Sequence, residues 1–128
     1  MNTPKLTKSN EDYLEAIGLL SEKSGSAQVR DIAKMLNVKM PSVTTGVKHL
    51  ADLGLVQYTQ YAPVKLTEKG AQKAKEIIER HATIFRFLSE ILHISDERAD
   101  KIACQMEHIM TAEEIQRLAN LTIINKKD

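Results

Sequence analysis

The sequence has a single cysteine, only three prolines and no long apolar run in its 128 residues. One cysteine cannot form an internal disulfide, which favours a reducing compartment. No segment approaches the roughly 20 consecutive apolar residues that a membrane-spanning helix needs, and the first residues lack the apolar region of a signal peptide. We therefore expect a cytoplasmic protein, with a chain long enough for one compact core or two small ones.

Charged residues are unevenly distributed, although the net charge is only +1. Residues 1–75 contain 11 Lys and Arg against 7 Asp and Glu, and residues 76–128 contain 7 against 10. A basic half is typical of a DNA-contacting region, and an acidic half is compatible with cation binding. Chance variation explains the asymmetry equally well, so charge alone does not decide.

Apolar residues at helical spacing predict three helices in the first half of the chain. Ser9–Asp12 is an N-cap signal with acids in the first turn, and Gly25 should end that helix. The second helix is predicted to cover Val29–Leu36. The third has Pro41 in its first turn and ends before Gly54. Two short helices joined by a tight turn are typical of a helix-turn-helix.

A β-hairpin is predicted directly after the third helix. Leu55–Tyr61 is rich in β-branched and aromatic residues, Ala62–Pro63 breaks the strand, and Val64–Leu66 returns as its partner. A hairpin in this place makes the module a winged helix. The alternative is a helical bundle with an incidental hairpin, but the order of elements favours the winged helix.

The outer face of the third helix carries small polar and basic residues, and the first acid along it is Asp52. Such a face can enter the major groove without repelling phosphate. Small residues would then face base edges, and basic residues would contact phosphates. We predict the base-facing set to be Pro41, Ser42, Thr44 and Thr45, and the phosphate-contacting set to be Arg30, Lys39, Lys48 and Lys65.

The second half is predicted to be helical. One long helix should run from a cap at Thr67 to about Leu92, and the next from Ser95 to about Met110. Thr111–Glu114 is a capping box for a last helix. These helices have much apolar surface and little to bury it against, which predicts a homodimer. We expect a DNA-binding domain at 1–71 and a dimerisation and metal-binding domain at 72–128.

Potential metal ligands recur at helical spacing. Cys104, Glu107 and His108 are three and four residues apart, so on a helix they share one face. A thiol, a carboxylate and an imidazole together suit a divalent transition metal. His81 is a plausible fourth ligand, and Asp12 and Glu15 share a face of the first helix. Each residue alone has an ordinary structural explanation, and the cluster carries the prediction.

Several segments resemble the iron- and manganese-dependent repressors of the diphtheria-toxin-repressor and manganese-transport-regulator family. The resemblance covers nearly the whole chain. It implies a mainly α fold, with an N-terminal winged helix followed by a helical dimerisation and metal-binding domain. It also implies a repressor whose operator binding follows metal supply. The segments that carry it are Glu11–Ile17, Val29–Ala33, Pro41–Thr44, Leu66–Gly70, Glu79–His81 and Cys104–His108.

The resemblance also implies a ligand set. Asp12 stands where the manganese branch has aspartate and the iron branch methionine, and Glu15 matches a carboxylate ligand of the manganese branch. Cys104 stands where the iron branch has cysteine and the manganese branch glutamate. The ligands common to both branches are matched by His81, Glu107 and His108.

Two departures from the family pattern stand out. The ancillary site of the iron branch needs a carboxylate at Phe85 and a histidine at Asp100, so we expect that site to be absent or altered. The SH3-like third domain of longer members is expected to be missing.

Thiolate favours Fe(II) over Mn(II), whereas three carboxylates favour Mn(II). We expect either ion to be the cofactor, with Fe(II) slightly preferred. A winged-helix regulator that senses no metal remains an alternative. A small metalloenzyme is another, but the sequence has no HExxH, phosphate-loop or nucleophile-elbow motif, so we expect a protein that is not an enzyme.

Overall fold

The computed structural model describes residues 6–126. The chain divides into two compact units after Glu76. It is mainly helical, with one small antiparallel sheet, as the sequence predicts. Among the described residues, no helix is long and apolar enough to cross a membrane.

Helix α1 covers Lys8–Ser24. Its cap is Thr7, whose Oγ1 accepts a hydrogen bond from the Asn10 N–H at 3.1 Å. The predicted cap at Ser9–Asn10 was wrong, because Thr7 precedes both residues and places them inside the first turn. Gly25 ends the helix as predicted, with a φ of 80° that a residue without Cβ adopts at little cost.

Helix α2 covers Val29–Leu36, as predicted, and α3 covers Met40–Asp52 with Pro41 in its first turn. Both pack against α1 around a core of fully buried aliphatic side chains. Helices α1 and α3 come close where Gly46 faces the ring of Tyr13. The fully buried residues on the three helices are Leu14, Ile17, Ile32, Val43, Val47 and Leu50.

The wing is shorter than predicted. Strands β1 (Val56–Gln57) and β2 (Lys65–Leu66) pair antiparallel. Ala27 extends the sheet, because it exchanges backbone hydrogen bonds of 2.8 and 2.7 Å with Val64. The predicted strand over Leu55–Tyr61 was wrong after Gln57: Tyr61 has a φ of 68°, which no strand contains, so residues 58–63 form a loop.

Helix α4 covers Glu68–Arg86. Thr67 caps it as predicted, because its Oγ1 accepts from the Gly70 N–H at 3.0 Å. The helical stretch continues to Ile91, next to the predicted end at Leu92, but its last part, Phe87–Ile91, is a π-helical segment and not α-helix. There the Leu92 N–H donates to the Phe87 carbonyl, five residues back, at 3.2 Å.

Helices α5 (Asp96–Met106) and α6 (Ala112–Lys126) complete the second unit. The predicted capping box forms: Thr111 N–H donates to Glu114 Oε1 at 2.9 Å and Glu114 N–H donates to Thr111 Oγ1 at 3.1 Å. Helix α5 ends at Met106, before the predicted Met110. The core joins α4, the π-helical segment and α5 through Ile84, Leu88, Ala99 and Ala103.

Candidate metal centre and nucleic-acid face

Glu107 is the central residue of a carboxylate–imidazole cluster in the second unit. Its side chain is fully buried, at 0% exposure. One oxygen, Oε1, lies 3.4 Å from Nδ1 of His81 and 3.8 Å from Nε2 of His108. The other, Oε2, is buried and has no hydrogen-bond partner within residues 6–126.

That oxygen has an energetic consequence. A buried polar atom without a partner costs on the order of 1–3 kcal/mol, and more when it belongs to a charged group. The cost is removed by a cation that the oxygen can contact. The orphaned oxygen of Glu107 therefore fits a metal ligand better than a purely structural carboxylate.

The elements explain how the cluster assembles. Helix α4 supplies His81, and the turn directly after α5 supplies Glu107 and His108. Although α5 ends at Met106, the Glu107 N–H still donates to the Ala103 carbonyl at 3.0 Å. The helical direction therefore continues to Glu107. The His108 N–H donates to the Gln105 carbonyl, three residues back, at 3.4 Å.

The remaining predicted ligand of this unit is Cys104, which lies on α5 one turn before Glu107 and is half-buried. A thiol, a carboxylate and two imidazoles make a donor set suited to divalent transition metals. The structure brings His81, Glu107 and His108 together, and Cys104 stays a predicted ligand.

Sequence reasoning missed the partner of the second nitrogen of His81. Nε2 lies 2.8 Å from Oδ1 of Asp100 on α5. These residues are 19 positions apart, so no local spacing rule links them. The only available signal was that Asp100 stands where the resemblance implies a histidine.

The two predicted ligands of the first unit lie on α1. Asp12 and Glu15 are both half-buried and one turn apart. The Lys8 ammonium lies 3.0 Å from Asp12 Oδ2, which is an i, i+4 pair on the helix surface. Their assignment as ligands stays a prediction.

A groove in the first unit lies between α2, α3 and the wing loop. Three predicted DNA-contacting residues line it: Arg30, Thr44 and Lys48. Sequence reasoning missed the wing residues that form the opposite wall, because they were assigned to a strand. These are Tyr58, Gln60 and Tyr61, and the last is 95% exposed.

The other predicted DNA-contacting residues are exposed around the first turns of α3 and on β2. They are Lys39, Pro41, Ser42, Thr45 and Lys65. The Thr44 and Thr45 hydroxyls donate to the carbonyls of Met40 and Pro41 at 3.2 and 3.1 Å. With their protons used inside the helix, both oxygens are left as acceptors, which suits base amino groups.

A winged helix followed by a helical unit with a carboxylate–imidazole cluster defines a class, the metal-dependent transcriptional regulators. Residues 5–64 match the family described as iron dependent repressor, N-terminal DNA binding domain. Residues 67–123 match iron dependent repressor, metal binding and dimerisation domain. The chain belongs to the iron dependent repressor family, which confirms the resemblance found in the motifs. Members of this family are transcriptional regulators and not enzymes.

Individual relatives agree with this assignment. The chain is 40% identical over 114 residues to an HTH-type transcriptional regulator of Methanocaldococcus jannaschii, covering 88% of this chain and 91% of the relative. It is 34% identical over 122 residues to the HTH-type transcriptional regulator MntR of Bacillus subtilis, covering 95% and 85%.

Two solved structures of similar fold agree with the family assignment. The crystal structure of IdeR from T. acidophilum matches with a TM-score of 0.77 and 35% identity, covering 91% of this chain and 54% of that one. The structure of the manganese regulator SloR matches with a TM-score of 0.79 and 30% identity, at the same coverage. The chain spans about half the length of these two solved structures.

Proposed function

We propose that the protein is a metal-dependent transcriptional repressor that binds operator DNA as a homodimer when loaded with Fe(II) or Mn(II). Its targets would be genes of metal uptake and homeostasis, and its place of action the cytoplasm. The observation that carries the proposal is the buried Glu107 carboxylate, which lies beside two imidazoles and has one oxygen without a hydrogen-bond partner among the described residues.

The proposed ligands come from both halves of the chain: Asp12, Glu15, His81, Cys104, Glu107 and His108. A bound divalent ion would supply the positive charge that lets these carboxylates and the thiolate share one site. Without it, the carboxylates repel each other and Lys8 holds Asp12. Ligands from the DNA-binding domain (1–71) and the dimerisation domain (72–128) would then fix one domain relative to the other.

Fixing the domains raises DNA affinity without any new contact to DNA. Conformational freedom that DNA binding would otherwise remove is lost before DNA arrives, so the apparent affinity increases. In the dimer, two α3 helices would then stand about 34 Å apart, matching half-sites one helical turn apart.

The identity of the ion is the finer part of the proposal. Cys104 adds a soft donor, which favours Fe(II), whereas the carboxylates of Asp12, Glu15 and Glu107 favour Mn(II). We place Fe(II) slightly ahead, because one thiolate changes the softness of the site more than one additional carboxylate does.

The groove beside α3 supports the DNA part of the proposal. Arg30 and Lys48 place positive charge along it, and the threonines of α3 offer acceptors to base edges. Ser and Thr discriminate bases less strongly than Arg or Asn do. Sequence preference would therefore depend on apolar contacts and on DNA shape as well.

Exposed apolar side chains on α6 support the homodimer. Leu121, Ile123 and Ile124 are 44%, 55% and 63% exposed. Large aliphatic residues grouped on one helix are typical of a surface that a partner covers. A second copy of the chain would bury them in a symmetric interface.

Two measurements on the purified protein test the proposal. Equilibrium dialysis against Mn(II), and against Fe(II) without oxygen, should give binding at micromolar or lower free metal. Selection from a pool of random-sequence duplexes in the presence of Mn(II) should enrich a palindrome. Absence of metal binding with a palindrome still enriched would instead support a winged-helix regulator that senses no metal.

A further inference from the structure

We propose that Asp100 is a positioning residue of the metal centre: it holds the His81 ring so that Nδ1 faces Glu107, where the ion would bind. This inference rests on the proposed function and deepens it, because Asp100 is outside the proposed ligand set. It concerns three side chains of the second unit: Asp100, His81 and Glu107.

The His81 ring lies between two carboxylates. Its Nε2 is 2.8 Å from Oδ1 of Asp100, and its Nδ1 is 3.4 Å from Oε1 of Glu107. The first distance is that of a charge-assisted hydrogen bond, and the second is at the limit of any hydrogen bond. Asp100 therefore makes the stronger contact and fixes the orientation of the ring.

Helix α5 explains why both carboxylates reach one imidazole. Asp100 and Glu107 are seven residues, or about two helical turns, apart, so they project from the same face. The ring from α4 fits between them, and one carboxylate is exposed whereas the other is buried.

The proton on Nε2 decides what Nδ1 can do. When a neutral histidine donates its Nε2–H to Asp100, Nδ1 is left with a lone pair. That lone pair faces an oxygen of Glu107, which as a carboxylate is an acceptor only. Two acceptors facing each other need a cation between them, and a divalent metal satisfies both.

The exposure of the Asp100 side chain indicates that it positions His81 and does little to stabilise the fold. The Asp100 side chain is 67% exposed, so its pairing contributes little to folding. Losing an outer partner of a metal-bound histidine typically lowers metal affinity by about 10–100-fold. Because Asp100 faces solvent, we expect a loss near the lower end, about 10-fold.

The test compares Co(II) binding, followed by visible absorption, in the wild type and three variants. Asp100→Ala removes the acceptor, and Asp100→Asn keeps an acceptor oxygen but loses the charge. Glu97→Gln removes the same charge from an exposed site on α5 and serves as the control. We expect Asp100→Ala to lose about 10-fold in affinity and to change the absorption bands at full loading. The Co(II) affinity of Asp100→Asn should lie between those of the wild type and Asp100→Ala. The affinity of Glu97→Gln should equal that of the wild type.

A second readout needs no metal. Nitrogen-15 NMR of the His81 ring in the metal-free protein should report a proton on Nε2 alone in the wild type, and a mixture of tautomers in Asp100→Ala. Equal Co(II) affinity, absorption bands and His81 tautomer in Asp100→Ala and Glu97→Gln would overturn the positioning role. If the wild type binds no metal but has the Nε2–H tautomer, the proposed function fails while the positioning contact stands.

Discussion

Glu107 is unfavourable for folding, and its proposed role as a metal ligand would offset that cost. A carboxylate at 0% exposure with one oxygen unpartnered among residues 6–126 destabilises the metal-free protein. Sites that bind ions commonly retain such a cost, because the same oxygen gains its full interaction only with the ligand present.

Replacing Glu107 by Gln should therefore separate stability from metal binding. We expect the metal-free variant to unfold at the same temperature as the wild type or higher, since a neutral amide is cheaper to bury than a carboxylate. The stabilisation by metal, about 2.7 kcal/mol at 100 times the Kd, should be lost. Thermal unfolding with and without Mn(II) measures both effects.

Glu113→Gln is the matched control, because the Glu113 side chain is 76% exposed and pairs with Arg117 at the surface of α6. It should keep the full response to Mn(II). A Glu107→Gln variant that is strongly destabilised without metal, yet is still stabilised by Mn(II), would refute the ligand role.

Cys104 is the residue on which the preference for iron depends. Changing Cys104→Glu replaces a soft donor by a hard one, so the ratio of Fe(II) to Mn(II) affinity should fall, by about 10-fold. Anaerobic competition titrations measure the ratio. Cys104→Ala, which removes the donor, should weaken both ions. An unchanged ratio of Fe(II) to Mn(II) affinity in Cys104→Glu would contradict the proposed preference for iron.

At the scale of elements, a close approach at Gly70 connects the start of α4 to the chain before the wing. A Cβ on Gly70 would overlap the carbonyl oxygen of Leu55. That carbonyl accepts from the Thr67 N–H at 3.1 Å, and Thr67 Oγ1 donates to the neighbouring Gly54 carbonyl at 2.7 Å. The backbone there is tied on both sides and has little freedom to move.

Gly70→Ala should therefore lower the free energy of unfolding by about 1–3 kcal/mol or more. Gly46→Ala is the comparison, because the nearest atoms to its Cβ would belong to the Tyr13 ring, 2.5 Å away, and a half-buried side chain can shift. The gain in helix propensity, about 1 kcal/mol, also offsets part of that clash. Urea unfolding measures the free energy of unfolding of both variants. A larger decrease for Gly46→Ala than for Gly70→Ala would contradict the prediction.

The groove between α3 and the wing makes a prediction about salt. If Lys48 contacts a phosphate, Lys48→Ala should weaken binding to all duplexes alike and reduce the slope of log affinity against log salt by about 1. Lys75→Ala, on α4 outside the groove lining, should leave the slope unchanged. Fluorescence anisotropy at several salt concentrations measures it, and equal slopes for wild type and Lys48→Ala would remove Lys48 from the interface.

Capping residues and apolar spacing predicted a helix well where these local features themselves determine its first and last residues. Helix α2 and the capping box at Thr111 follow from caps and apolar spacing, and both formed as predicted. The short strands of the wing were not predicted, because the length of a strand depends on its partner. The π-helical segment depends on packing, which no window of sequence contains.

In the candidate site, too, local spacing was predictable from the sequence and contacts between helices were not. The spacing of Cys104, Glu107 and His108 predicted a shared face, because Glu107 and His108 lie one helical turn after Cys104. The structure brings Glu107 and His108 together, and the role of Cys104 stays a prediction. The contact between His81 and Asp100 was not predicted, because it depends on how α4 and α5 pack against each other. Its residues are 19 positions apart, and only the folded chain brings them within 2.8 Å.

At the scale of the whole molecule, the proposal is a coupling between two binding events. If metal raises the affinity for DNA, DNA must raise the affinity for metal by the same factor, typically about 5–150-fold in allosteric proteins. The coupling needs both halves of the ligand set, since ligands from one half alone would load metal without restraining the DNA-binding domain. It also predicts that variants at Glu107 lose metal-dependent DNA binding while keeping the weak binding of the metal-free state.

The most direct measurement is the affinity for one duplex, enriched from the random pool, with Mn(II) present and after a chelator has removed it. Anisotropy should give a gain of at least about 10-fold with metal, and Glu107→Gln should show no gain. Equal affinity of the wild type in Mn(II) and in chelator would contradict the account.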